Sequence, residues 1–458
     1  MAMSLFSNFF SKLRSKIGAD KDLKEIARGG LTAFIVNLAG LGVGYLFVFL
    51  ISVIYKTSTA EIYGEYIIVT LFIRVGSIIT RFGTDTTMLQ LTAAFSSEKL
   101  WGNILQVNKR LLGLLLLIGT IVTVVSIGLC KPLGILLKLS SKSVVISSVF
   151  IIPMALGLYY SQSLRGLKRI GMSTFLRSSA LPILNFILLP LFLVFVHKNS
   201  KEFSELPEYT FFLSTIITVV IGYIYWNKAS SASGEGELLY DEKHYKSTKE
   251  LFYKSYPLLL AESAIFIGTW VDQLLLGILG NTADVGIFNI CVKYAMVASL
   301  SLQAVNTISA AKFSEYYFKG DYVSLSQNVQ KTTKTIFFTT LPIVIIYLLF
   351  PKFLLSIFGA EFATGWIAFM ILTFGALVNV FTGSVGVLLQ MTGHQKTVQN
   401  ILLGVITIQI ILNLLLIPRY GVTGAAIATT FCWCLQNFTM VFYVKKYFGF
   451  SSLPNLLG

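Results

Sequence analysis

Charge is what this sequence has least of. Only 12% of its 458 residues are Asp, Glu, Lys or Arg, about half the roughly 25% of a soluble globular chain. With 55% hydrophobic residues and a mean hydropathy of +0.75, that excludes a soluble enzyme and a disordered scaffold. Cysteine is also scarce. Cys130, Cys291, Cys432 and Cys434 lie in or at the ends of apolar runs, too few for a small disulfide-stapled domain. Cys432-Trp433-Cys434 is spaced too closely for a CxxC ligand pair, so packing thiols are expected. The three His (His197, His244, His394) fall in loops, which leaves no intramembrane relay and no metal site. There is no GxxxxGK[ST] loop, no Ser/His/Asp constellation and no cytoplasmic segment long enough for a nucleotide-binding domain. No cofactor is expected beyond a coupling proton or sodium ion, and no enzyme activity. The ten-residue alternation of barrel strands is missing too. What is present is a series of continuous apolar runs from residue 31 to residue 444. In lipid these must be helices, which satisfy their own backbone.

At about twenty residues per crossing, twelve spans are expected: 29–54, 62–82, 108–130, 142–163, 173–196, 209–226, 251–276, 285–310, 333–356, 364–389, 397–417 and 421–444. Residues 1–28 read as a basic amphipathic lead-in, with Phe6, Phe9, Phe10 and Leu13 among Lys12, Arg14 and Lys16. An even span count puts both termini on one side. With that side cytoplasmic, the inside segments and their flanking helix ends hold 25 of the 36 Lys and Arg, the outside segments eight, and the spans three. That bias predicts N-in and C-in. It also accounts for most of the net charge of +15 without a nucleic-acid partner. The Gly/Ser-rich stretch 227–250 reads as a cytoplasmic linker. It separates a six-helix bundle at 29–226 from another at 251–444, and residues 445–458 form a tail.

The two halves look alike. Ile183-Leu184-Asn185 with Pro190 matches Ile411-Leu412-Asn413 with Pro418, at a shift of 228. Gly171 corresponds to Gly393, and Gly64-Glu65-Tyr66 to Gly286-Ile287-Phe288, both at 222. Units of six spans run in the same direction, so these are parallel repeats about an axis along the membrane normal, a transporter layout.

The motifs resemble those of a known family. Thr59-Ala60-Glu61-Ile62-Tyr63-Gly64-Glu65-Tyr66 and Phe82-Gly83-Thr84-Asp85-Thr86-Thr87 are similar to segments of polysaccharide flippases. So are Tyr256-Pro257-Leu258-Leu259, Val271-Asp272-Gln273 and Val285-Gly286-Ile287-Phe288. The block from Leu412-Asn413 through Ile417-Pro418-Arg419-Tyr420-Gly421 to Gly424-Ala425-Ala426 resembles the family's closing motif most specifically. Gln90 stands where many relatives carry Arg. The family is the Wzx-type oligosaccharide-lipid flippases of the multidrug/oligosaccharidyl-lipid/polysaccharide exporter superfamily. The resemblance implies an all-α polytopic fold with two six-helix lobes in a V around a central cavity. It implies translocation of undecaprenyl-pyrophosphate-linked oligosaccharide across the plasma (inner) membrane for O-antigen, capsule or exopolysaccharide assembly. The implied partners are the lipid-linked substrate, membrane lipids, and a polymerase with its assembly proteins.

Ionisable residues inside spans are costly and mark pathways. Arg74 and Arg81, seven residues apart, share a face of span two and form a cationic stripe suited to a diphosphate; Arg81 also reaches Asp85 at i+4. Lys293 in span eight is a further candidate for substrate binding, and Asp272 in span seven is expected to pair with it. Glu262, and with it Asp272 and Asp85, are candidates for ion coupling. Asn37, Gln303 and Asn306 are candidates for sugar contacts or for helix–helix hydrogen bonds. Gly40, Gly42 and Gly44 allow close approach to span one. The competing readings are a cation-coupled multidrug exporter, which should favour acidic cavity residues, and a peptidoglycan-precursor flippase, which commonly has two further spans. A membrane glycan polymerase is disfavoured by the short outside loops.

Overall fold

The computed structural model describes residues 21–56, 58–195, 203–232 and 247–453. His197, His244, the aromatic residues of the N-terminal segment and most of the linker lie outside the described residues.

Every regular element among the described residues is helical. The N-terminal lobe holds α1 (Lys21–Tyr55), α2 (Thr59–Arg81), α3 (Thr84–Ser97), α4 (Trp101–Gly128), α5 (Cys130–Leu137), α6 (Ser141–Val149), α7 (Ile151–Gly166), α8 (Ile170–Thr174), a π turn (Phe175–Ser179), α9 (Ala180–Leu193) and α10 (Leu206–Ala232). The C-terminal lobe holds α11 (Thr248–Leu279), α12 (Thr282–Ala298), α13 (Leu300–Phe318), α14 (Tyr322–Leu349), α15 (Pro351–Ser356), α16 (Trp366–Thr382), α17 (Val385–Met391) and α18 (Gln395–Phe448). Ten of these helices or helix runs are long and apolar enough to cross a membrane, or eleven if the α12–α13 pair, bent by 45°, is one broken span. Large apolar side chains such as Leu117, Ile121 and Val124 on α4 are exposed, as lipid-facing residues are. The chain is a multi-pass membrane protein.

α18 departs from expectation, because spans eleven and twelve join in one 54-residue run. A straight helix of that length would measure about 80 Å at 1.5 Å per residue, more than twice the hydrocarbon core. The run is not straight. Gly421 sits at φ 51°, ψ −127° inside it, and a Cβ on Gly424 would lie 2.4 Å or so from the Leu416 carbonyl oxygen, so the chain folds back on itself. The twelve expected crossings are reached only by counting the two legs of α18 separately and the bent α12–α13 pair as one.

The apolar core is continuous between the lobes, running from Leu71 and Ile73 on α2 through Ile287 and Phe288 on α12 to Phe369 on α16. α2 makes the largest part of the junction, packing on α12 near one end and on α11 near the other, where α3 packs on α11 beside it. Its spacing explains why. Ala60, Tyr63, Arg74 and Arg81 fall at offsets of 3, 14 and 21 residues from the first, a heptad register that keeps them on one face.

The repeat read from the sequence has a structural counterpart at the α2–α12 crossing. A Cβ on Gly64 would collide with the Thr282 carbonyl. A Cβ on Gly286 would come 2.5 Å from the Ala60 carbonyl oxygen and 3.1 Å from Gly64 N. Gly64 and Gly286 are related by the shift of 222, and so are Ala60 and Thr282. Each lobe therefore gives the same two positions to a reciprocal contact, as a two-fold axis through the crossing requires.

Candidate functional site: the seam between the lobes

The face of α2 that looks at the C-terminal lobe carries a partner at each level. The end of the molecule where α10 leaves and α11 enters is called the linker end below.

At the opposite end, Tyr63 donates its hydroxyl to Asn289 Oδ1 at 2.7 Å and accepts from Lys293 Nζ at 2.8 Å. Asn289 in turn donates to Gln273 Oε1 at 2.9 Å. The Lys293 ammonium also lies 5.3 Å from the Tyr63 ring centroid and 5.8 Å from that of Tyr45, within cation–π range. Ala60 N, in the largely buried first turn of α2, donates to Glu361 Oε2 of the other lobe at 2.9 Å, an anion where a helix N-terminus favours one. Lys138 Nζ donates to the Gly280 carbonyl.

Arg74 follows on the same face, half-buried. Its guanidinium lies 5.5 Å from the ring centroid of Trp270 on α11, and it forms no ion pair with a described residue. Trp270 is itself stacked on Phe266.

At the linker end, Arg81 is buried and divided between two carboxylates. Nη1 pairs with Asp85 in its own lobe and with Glu262 Oε2 of α11 at 3.0 Å. Thr86 donates to Glu262 Oε1 at 2.6 Å, and the hydroxyls of Thr87 and Ser255 meet at 2.7 Å. Phe82 stacks on Phe252 at 4.7 Å. Between α2 and α3, Phe82 and Gly83 both have positive φ, and a Cβ on Gly83 would collide with the Ser255 carbonyl. Glycine is needed there for the turn and for the approach of α11.

A second polar cluster lies inside the C-terminal lobe. Asp272, 4% exposed, accepts from Gln409 Nε2 at 2.8 and 3.0 Å, from Asn413 Nδ2 at 2.5 Å and from Thr429 Oγ1 at 2.8 Å. Asn413 and Thr429 come from opposite legs of α18. They reach one carboxylate only because the chain reverses at Gly421.

The expected pairing of Asp272 with Lys293 is therefore not made. Asp272 lies eight residues from Gly280 and Lys293 twelve from Asn281, a difference in depth of about 6 Å. Moreover, one residue faces α18 and the other α2. Glu262 and Asp85, both candidates for ion coupling, are tied to Arg81. The Arg81–Asp85 pair is present as the i+4 spacing suggests. Asn37 accepts from Ser178 Oγ at 2.5 Å, a helix–helix bond. Gln303 is exposed on α13, and Asn306 Oδ1 is buried without a hydrogen-bond partner among the described residues; neither lies on the α2 face. Of the three span-one glycines, Gly40 is the tight one, with a Cβ there 2.5 Å from Ser179 Oγ, whereas Gly42 faces open space.

Sequence reasoning missed Tyr63, Trp270, Gln409 and Thr429. Tyr63 and Trp270 were detectable, since they fall in register with residues already singled out on their helices. Gln409 and Thr429 join Asp272 only through the reversal of α18.

The comparisons with known proteins agree with this architecture. A family described as "Polysaccharide biosynthesis protein" matches residues 241–366. A capsular polysaccharide biosynthesis protein of Staphylococcus aureus, CapF, is 24% identical over 210 residues, 45% of this chain and 53% of the relative. A probable low-salt glycan biosynthesis flippase of Haloferax volcanii, Agl15, is 21% identical over 216 residues, 47% of this chain and 46% of the relative. The chain spans about half the length of the curated relatives it matches. Among solved structures, the lipid II flippase MurJ in an inward closed conformation superimposes with a TM-score of 0.67 at 16% identity, covering 92% of this chain and 87% of that one. An inward-facing multidrug transporter of the MATE family and MOP superfamily gives 0.67 at 12%, covering 91% and 98%. The fold is that of the MOP transporters. The resemblance read from the sequence agrees with this fold and with the polysaccharide and glycan biosynthesis named for the matched family segment and for two of the relatives, and the two similar solved structures are a flippase and a multidrug transporter.

Proposed function

We propose that this MOP-fold protein is a flippase for polyprenyl-diphosphate-linked oligosaccharide. It would carry repeat units of a surface polysaccharide from the cytoplasmic to the outer leaflet by alternating access of the two lobes. The linker end is the cytoplasmic end on this reading, with both termini inside. The observation that carries the proposal is Arg74, a cation on the seam whose charge no described carboxylate balances. A drug-cation exporter would place a carboxylate at that level; a diphosphate supplies the missing anion. Names of relatives that mention polysaccharide or glycan biosynthesis support the substrate class.

Coupling is assigned to Asp272, as the carboxylate of a proton or sodium site. Its neighbours offer a hydroxyl and amide groups, and Asn413 Oδ1 is buried without a hydrogen-bond partner among the described residues, so an acceptor is left for a cation. The carboxylate, amide and hydroxyl oxygens are hard donors of the kind a small cation takes.

The test is the sidedness of lipid-linked oligosaccharide in cells lacking the gene, complemented with wild type or Arg74→Ala. Accumulation on the cytoplasmic leaflet with loss of surface polymer, corrected by wild type and not by Arg74→Ala at equal membrane level, is the expected result. Unchanged glycan with raised sensitivity to cationic drugs, or loss of peptidoglycan precursor flipping instead, would overturn it.

A further inference from the structure

The ion pair at the linker end leaves two features of the N-terminal lobe unexplained. Arg81 Nε is buried with no hydrogen-bond partner among the described residues, in a residue only 8% exposed. The pair formed by Nη1 with Asp85 and Glu262 therefore does not use the guanidinium fully. The second feature is Arg177. It sits on the π turn between α8 and α9, exposed, with no ion pair to a described residue, and within electrostatic range of the Glu262 carboxylate. π turns occur often at functional sites, and this one is held firmly. Ser178 Oγ donates to Asn37 Oδ1 at 2.5 Å and Ser179 Oγ to the Val36 carbonyl at 2.7 Å, and Gly40 lets α1 close against it.

We propose that Arg81, Thr86 and Arg177 form a diphosphate-binding site at the linker-end mouth, and that Glu262 from the opposite lobe occupies it when the lobes are closed. The Glu262 carboxylate takes one donor from Arg81 and one from Thr86. A diphosphate has more acceptor oxygens and more charge than a carboxylate, enough to engage the idle Arg81 Nε and Arg177 together. When Glu262 moves away with its lobe, two guanidiniums face one carboxylate, Asp85, and the mouth gains a net positive charge. Substrate and Glu262 then compete for the same groups, so binding of the diphosphate and opening of this end are one event. The site rests on the flippase reading, and it adds two residues with distinct tasks: Arg177 as a substrate contact and Glu262 as the internal competitor.

The experiment uses the full chain in nanodiscs, with its four cysteines replaced and spin labels on Ser97→Cys and Lys249→Cys, one in each lobe. The probes are undecaprenyl diphosphate, undecaprenyl monophosphate and sodium pyrophosphate. The lipid diphosphate should lengthen the label distance, and the monophosphate should do so less. Pyrophosphate acting as well as the lipid would assign the site to the diphosphate group alone, which also supports it. Glu262→Gln should bind the lipid diphosphate about tenfold more tightly, and Arg177→Ala about tenfold more weakly, the effect of one charge-assisted contact. Arg177→Lys should recover part of that loss. If wild-type protein flips lipid-linked glycan but Glu262→Gln and Arg177→Ala bind as wild type does, this site is overturned and the flippase reading stands. If no variant binds a diphosphate while a cationic drug moves the labels, both are overturned.

Discussion

At the scale of single residues, the magnitudes separate groups that hold the fold from groups free to act. A cation–π contact such as that of Arg74 with Trp270 is worth about 0.5–2 kcal/mol. Taking an ion out of water costs several kcal/mol. The ring therefore does not balance the charge, and Arg74 remains free for an anion. Trp270→Phe, which keeps a ring over Arg74, should retain most transport; Trp270→Ala should lose more, at equal membrane level, in an assay of lipid-linked glycan flipping. Asp272 is the opposite case. Its carboxylate is the common acceptor for Gln409, Asn413 and Thr429, and each buried donor left without an acceptor costs about 1–3 kcal/mol. Asp272→Ala should lower the unfolding temperature clearly, as followed by fluorescence-detected size exclusion after heating. Asp272→Asn, which keeps an acceptor oxygen and the shape, should lower it less and yet remove the dependence of transport on the ion gradient. Equal stability of Asp272→Ala and wild type would show that the network does not hold α11 to α18.

At the scale of elements, the α2–α12 crossing and the reversal of α18 show what a sequence can and cannot disclose. The 222-residue shift pairs Gly64 with Gly286 in the sequence, and the structure uses both in one crossing. The apolar runs disclosed the helices, and the heptad interval disclosed that Arg74 and Arg81 share a face. Which lobe that face meets was not legible, because a shared face carries no information about a partner more than 180 residues away, as with Arg81 and Glu262. The partners of Asp272 were hidden for a similar reason: adjacency in the chain favoured Lys293, whereas the hairpin at Gly421 brings Asn413 and Thr429 from residues 16 apart to one carboxylate. Gly421→Ala should be strongly destabilising, since φ 51°, ψ −127° is a conformation that only glycine adopts without strain. At the crossing, Gly64→Ala and Gly286→Ala should each lower the unfolding temperature. The double variant should lose less than the sum, because one inserted methyl group already separates the helices that the second would separate. Strict additivity would mean that the two glycines serve separate contacts.

At the scale of the whole molecule, α2 is bound to the other lobe at both ends, through Tyr63, Lys293 and Glu361 at one and through Arg81 and Glu262 at the other, where Thr87 of the adjoining α3 meets Ser255. Transport by alternating access requires that each end open while the other stays closed. A helix of 23 residues, about 34 Å long, moves as a rod, so opening one end turns it about the contacts at the other. The tight glycine crossing is suited to the role of pivot for the linker end, because two backbones in contact permit rotation with few side chains to rearrange. Opening the opposite end must instead break that crossing and exchange the Lys293–Tyr63–Asn289 chain for water or substrate, while the Arg81–Glu262 pair holds the linker end. Each closure is then needed in one half of the cycle and must be released in the other. In a cysteine-free background, Thr87→Cys with Ser255→Cys should stop transport when oxidised and restore it when reduced. Thr59→Cys with Glu361→Cys, joined by a short thiol-reactive linker, should stop it equally. The two locks should differ in one respect: with the linker end locked, substrate added on the cytoplasmic side should not bind, and with the opposite end locked it should bind and remain. Binding from the cytoplasmic side in both locked forms would mean that the seam along α2 is not the gate, and that substrate passes by another face of the lobes.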